Sequence, residues 1–99
     1  MAEVLYAPAA LADVERLVRF LENTPRAASE TADLLFDAIE ILQRHPGVGR
    51  IVEEGLRELI ISRGRSGYIA LYRFDAPTDR VFVLAIRHQR ELDIGAGQF

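Results

Sequence analysis

Between Leu56 and His88 three apolar runs follow one another with almost nothing between them. "LRELIIS" (Leu56 to Ser62), "YIALYRF" (Tyr68 to Phe74) and "RVFVLAIRH" (Arg80 to His88) are dense in β-branched, aliphatic and aromatic residues. "RGRSG" (Arg63 to Gly67) and "DAPTD" (Asp75 to Asp79) separate them, and both have the composition of turns. Strands joined by connections this short form an antiparallel meander. A meander has two faces, and at least one must be covered by other parts of the chain.

The preceding residues supply that cover. "EVLYA" (Glu3 to Ala7) is a short apolar run and reads as a first strand. Pro8 suits the first turn of a helix. From Leu11, apolar residues recur at Val14, Leu17, Val18 and Leu21, with Asp13, Glu15, Arg16, Arg19 and Glu22 between them, which is helical spacing. "ENTPR" breaks the pattern at Pro25. A second helix is expected from about Ala27 to Arg44, with Ala32, Leu35, Phe36, Ile39 and Leu42 as its apolar stripe and Ser29 and Asp33 in its early turns. "HPGVG" (His45 to Gly49) ends it. Helices joined by so few residues pack as an antiparallel hairpin.

The order β-α-α-β-β-β predicts an α+β two-layer fold: a helical hairpin packed on a small, mainly antiparallel sheet whose other face is partly open. At 99 residues the chain suits a single domain over 1–99. The tail "ELDIGAGQF" has no clear period and is expected to be mobile.

Composition narrows the class. The sequence is 49% hydrophobic, which excludes a disordered chain. No run of about 18 apolar residues is present, so no membrane span is expected. The N-terminal "MAEVLYAP" does not read as a secretory signal. Without cysteine there are no disulfides or thiolate metal sites, which fits a cytoplasmic protein. His45 and His88 lie in different elements, so no metal and no cofactor are expected; His45 reads as a helix-end residue. The glycine stretches match no phosphate-binding loop, and Ser62 and Ser66 have no nucleophile-elbow context.

Charge is uneven. Residues 1–49 hold eight acidic residues and four arginines, and residues 50–99 hold seven acidic residues and eight arginines, so −4 is followed by +1. All twelve basic side chains are arginines. Those of the β region, Arg57, Arg63, Arg65, Arg73, Arg87 and Arg90, together with His88, form the one constellation with chemical potential. Arg57 and Arg63 are six apart and share a face of a regular strand. A meander would bring the group toward one rim of the open sheet. Arginines stabilise developing phosphate charge and histidine transfers protons near neutral pH, the chemistry of a metal-free ribonuclease. The plainer reading is that these arginines solvate the sheet and pair with Glu53, Glu54, Glu58 and Glu91. Tyr68 and Tyr72 read as packing residues.

"GLRELIISRGRSGYIALYRFD" (Gly55 to Asp75), "VFVLAIRHQRE" (Val81 to Glu91) and the opening "VLYAPAALADVERLVRFLE" resemble the RelE/ParE superfamily of toxins, the toxic halves of bacterial type II toxin–antitoxin modules, often labelled plasmid stabilisation proteins. The resemblance spans nearly the whole chain and implies growth inhibition relieved by a cognate antitoxin. RelE-like members cleave messenger RNA at the ribosome with basic side chains on the open sheet face, whereas ParE-like members share the fold and poison DNA gyrase. Where the ribonuclease branch often places an arginine after the glycine–tyrosine of the third strand, this chain has Ile69. Where that branch has polar residues in the second strand, it has Ile60 and Ser62. An arginine expected near the end of the fourth strand falls at about Gln89, and "LDIGAGQF" holds no late tyrosine.

These departures favour a non-enzymatic, gyrase-directed toxin. A ribosome-dependent endoribonuclease using Arg73, Arg87, His88 and Arg90 is the first alternative, and a non-toxic binding relative the second. The expected partners are an antitoxin and gyrase, or ribosome and messenger RNA on the alternative. The expected assembly is a homodimer or a toxin–antitoxin hetero-oligomer. The arginines named above and His88 are the expected contacts with target or antitoxin.

Overall fold

A computed structural model describes residues 1–19, 24–63 and 66–89. Arg65, Arg90, Leu21 and the tail 91–99 lie outside the described residues. Strand β1 (Glu3–Tyr6) leads into helix α1 (Pro8–Arg19), and helix α2 (Pro25–Glu40) closes with a 3-10 turn, Ile41–Gln43. Strands β2 (Arg50–Glu53), β3 (Leu56–Arg63), β4 (Ser66–Asp75) and β5 (Arg80–His88) follow. They build a five-stranded sheet in the order β1-β5-β4-β3-β2. Every pairing is antiparallel except β1 with β5. The two-layer α+β architecture read from the sequence is the observed one.

Four details differ from the sequence reading. Pro25 starts α2 rather than only ending what precedes it, because the first helical turn has no use for the N–H that proline lacks. The helix stops at Glu40 and tightens into the 3-10 turn, where a continuous helix to Arg44 was expected. Leu11, expected in the apolar stripe, is half exposed, and Ala10 is buried in its stead. A fourth C-terminal strand, β2, is present in a stretch that the sequence reading assigned to no element. Its four residues "RIVE" carry charge at both ends, and a register shift between Ile51 and Glu53 breaks their alternation, so no strand period is visible.

The core lies between the helices and one sheet face. Leu35, Ile39 and Leu42 from the second helical segment meet Tyr72, Val81, Val83 and Ile86, all fully buried. Ala10 and Ala70 are also fully buried, small residues that let helix and sheet approach closely. Phe36 keeps partial exposure and sets its ring edge-on to Tyr6, with centroids 5.5 Å apart. Burial, with a smaller push from the Glu40 carboxylate, raises the Tyr6 phenol above its ordinary value. Among the described residues no helix is long and apolar enough to cross a membrane.

The turn between β2 and β3 depends on Gly55, whose φ of +77° is left-handed. A Cβ there would meet nothing closer than the Arg73 Nε at 3.8 Å, so any penalty is one of backbone conformation rather than space. Gly55→Ala should therefore cost about 1 kcal/mol in chemical denaturation, and an unchanged midpoint would contradict this conformational account.

Candidate functional site

The β-region arginines are best placed by the register of the sheet. Arg57 lies opposite Tyr72, on the helix-side face, and Arg63 stands opposite Ser66 in the backbone register at the far end of the same strand. Arg57 is already engaged: its Nη1 donates to the Gly47 carbonyl at 3.0 Å and the Gly49 carbonyl at 2.8 Å. It braces the loop before β2. The same loop is held by Tyr72, whose hydroxyl accepts from the Gly49 N–H at 2.8 Å and donates to the Pro46 carbonyl at 2.8 Å. Tyr72 is thus a packing residue with a polar tip that has found both its partners.

Arg73 and Arg87 are far apart. Arg73 lies opposite Phe82 and Arg87 opposite Ile69, so four residues of β4 separate them, roughly 13 Å along the strand. Arg73 is exposed and makes no ion pair among the described residues. Arg87 donates to the Asp13 carboxylate of α1 at 2.5 Å and to the Ile86 carbonyl at 3.1 Å. His88 is next to Arg87 in sequence and therefore on the other face. There its ring stands edge-on to Tyr68, centroids 5.1 Å apart, on the helix side of the sheet. The nuclease set Arg73, Arg87 and His88 is thus not assembled into one cluster; Arg90, its fourth member, and Arg65 lie outside the described residues.

The open face near Arg87 is apolar. Ile60 and Ile69 are direct cross-strand neighbours in register with Arg87, and Ile60 is 57% exposed. Glu58, facing the same way, pairs with Arg50 of β2 at 2.6 Å. Of the expected acidic partners among the described residues, only Glu58 is used in this way, Glu91 lying outside them; Arg87 is paired by Asp13 instead, and Arg80 by Glu3 at 3.3 Å. No group of three or more His, Asp or Glu that could hold a metal occurs among the described residues.

Asp13 is the residue that sequence reasoning passed over. Strand β1 ends at Tyr6, paired with Val83, and among the described residues the edge of β5 beyond that point has no strand beside it. Helix α1 runs there instead. Asp13 Oδ2 accepts the Ile86 N–H at 2.9 Å as well as the Arg87 guanidinium, while Arg16 lies 3.5 Å from both Asp13 Oδ1 and the Ile86 carbonyl. Side chains of a helix thereby stand in for the missing strand. In the sequence Asp13 is only one polar position on an amphipathic helix, and no local signal marks its partner.

Comparison with known proteins identifies the family. The family model described as "ParE toxin of type II toxin-antitoxin system, parDE" matches residues 4–93. Toxin RelE3 of Caulobacter vibrioides is 37% identical over 92 residues, covering 92% of this chain and 98% of the relative. Toxin RelE1 of the same organism is 39% identical over 71 residues, covering 71% of this chain and 76% of the relative. Among solved structures, a chain of the chromosomal ParDE toxin–antitoxin system from P. aeruginosa superposes with a TM-score of 0.72 at 21% identity, covering 87% of this chain and 94% of that one, a likeness of fold. A chain of the RelBE2 toxin–antitoxin complex from Mycobacterium tuberculosis gives a TM-score of 0.57 at 26% identity, covering 89% and 98%. With nearly its whole length matched, the chain belongs to the ParE toxin family of type II toxin–antitoxin systems, within the RelE/ParE superfamily.

Proposed function

We propose that this chain is the toxin of a type II toxin–antitoxin module that arrests growth by acting on DNA gyrase in the cytoplasm, catalyses no reaction itself, and is neutralised by a cognate antitoxin. The observation that carries this reading is the character of the open face. Ile60 and Ile69 lie beside Arg87, where a phosphodiester-cleaving site needs converging cations and a proton carrier. Arg87 is bound to Asp13 and His88 belongs to the opposite face, so neither is poised for that work. The family match over 4–93 supports the toxin assignment.

A second reading, a ribosome-dependent endoribonuclease, is favoured by the names of the two Caulobacter relatives. One experiment separates the two. Purified protein added to gyrase and plasmid should block supercoiling or trap cleaved DNA, and primer extension on translated messages should show no codon-phased cuts. Intact supercoiling together with such cuts would reverse the assignment. Harmless expression without antitoxin would remove both in favour of a non-toxic binding relative.

Arg73 is the cleanest point at which to probe a partner surface. Being exposed and without an ion pair among the described residues, Arg73→Ala should leave unfolding within about 0.5 kcal/mol of the parent. We expect it to weaken binding to antitoxin or target; unchanged binding of both would remove Arg73 from the contact surface.

A further inference from the structure

Strand β2 is the outer edge of the sheet, with no strand beyond it among the described residues. Its backbone groups on that side are a template for another strand. All four of its residues are exposed, and Ile51 is 65% exposed although apolar. An edge of this kind invites pairing, and the question is with what.

The residues themselves supply the answer. Read antiparallel against itself, "RIVE" places Arg50 opposite Glu53 and Ile51 opposite Val52, and the reverse pairs follow by symmetry. In a regular strand this register would fail, because residues three apart point to opposite faces. Here the irregularity repairs it. Arg50 pairs with Glu58 of β3 and Glu53 pairs with Leu56, and positions 56 and 58 lie on one face of β3. Arg50 and Glu53 therefore share the open face, with the extra residue of the bulge absorbed between Ile51 and Glu53.

We propose that β2 is a self-complementary edge through which two copies of this chain pair, strand to strand, about a two-fold axis perpendicular to the sheet. The axis keeps open face continuous with open face, so Arg50 of each copy meets Glu53 of the other. Arg50 is 74% exposed while one Nη donates to Glu58, and a guanidinium has further donors to offer across the axis. Glu53 has no ion pair among the described residues. Ile51 and Val52 cover one another on the other side. The short, bulged and charged edge that would repel an arbitrary strand thus accepts its own copy in one register. With four residues per side the contact lies below the size of a stable interface, so the pairing is weak and concentration-dependent.

Sedimentation equilibrium of the purified full chain tests this. The parent should show a monomer–dimer equilibrium, with the amides of 50–53 gaining protection from exchange as concentration rises. Arg50→Glu and Glu53→Arg should each raise the dissociation constant about tenfold or more, since each puts like charges opposite one another twice. Mixing the two variants should restore association as a heterodimer, because every cross pair is then opposite in sign. The double variant should self-associate again. Arg50→Glu also removes the Arg50–Glu58 pair, whereas Glu53→Arg touches no ion pair among the described residues and so tests the edge by itself. A strictly monomeric parent, a dimer indifferent to both reversals, a mixture that stays monomeric, or protection of 50–53 that needs a different protein would each overturn the proposal.

Discussion

Tyr72→Ala should lower the free energy of unfolding by about 4 kcal/mol, read as a lower denaturant midpoint at unchanged slope. The ring is fully buried at the centre of β4 and touches the core formed by both layers. Truncation removes its packing and also leaves the Gly49 N–H and Pro46 carbonyl without their partner. Tyr72→Phe separates these contributions: it keeps the ring and loses both hydrogen bonds, for about 1–3 kcal/mol. Gly49→Ala attacks the same junction from the other side. A Cβ on Gly49 would stand 2.6 Å from the Tyr72 ring and hydroxyl and 2.7 Å from the Glu58 carbonyl, so backbone or ring must move, at about 1–3 kcal/mol. If Tyr72→Phe proved as stable as the parent, the hydroxyl would not be what fastens the loop before β2.

The second large effect is expected at Asp13. Its carboxylate is only 13% exposed and accepts from both the Ile86 N–H and the Arg87 guanidinium. Asp13→Ala should cost about 2–3 kcal/mol, because it leaves a partly buried cation and an edge N–H with no acceptor. Arg87→Ala should cost less, about 1 kcal/mol, since Asp13 retains the Ile86 N–H and Arg16. Asp13→Asn, which keeps an acceptor oxygen without the charge, should fall between them. Equal losses from Asp13→Ala and Arg87→Ala would mean that the ion pair alone matters and the strand-edge hydrogen bond does not.

These two sites show what was readable in the sequence and what was not. The helices announce themselves by their period, with Val14, Leu17, Leu35 and Ile39 buried as it requires, and β1, β3, β4 and β5 by runs dense in aliphatic, β-branched and aromatic residues. β2 is four residues long with a bulge, too short and too irregular to show a period. The clustering of Arg73 with Arg87 fails for a topological reason. Both lie toward the ends of their strands, but in an antiparallel pair the end of β4 adjoins the start of β5, as the pairing of Arg73 with Phe82 shows. Asp13 and Ile86 are 73 positions apart, and nothing local in either predicts their meeting. The apolar character of the open face, by contrast, was visible at once in Ile60 and Ile69.

The parallel pairing of β1 with β5 has a consequence for how such a protein comes into being. Glu3 aligns with Arg80 and Tyr6 with Val83, so the earliest strand waits for nearly the last one. While the chain is being synthesised, the β3–β4 hairpin and the helices can gather by local contacts, but the sheet cannot close until residues 80–83 have left the exit tunnel. A chain interrupted before Arg80 keeps its first strand unpaired and its core incomplete. High contact order thereby makes closure of the sheet a late event that waits for β5 to emerge. Until the first and fifth strands have met, the surface that an antitoxin would cover is not yet in place.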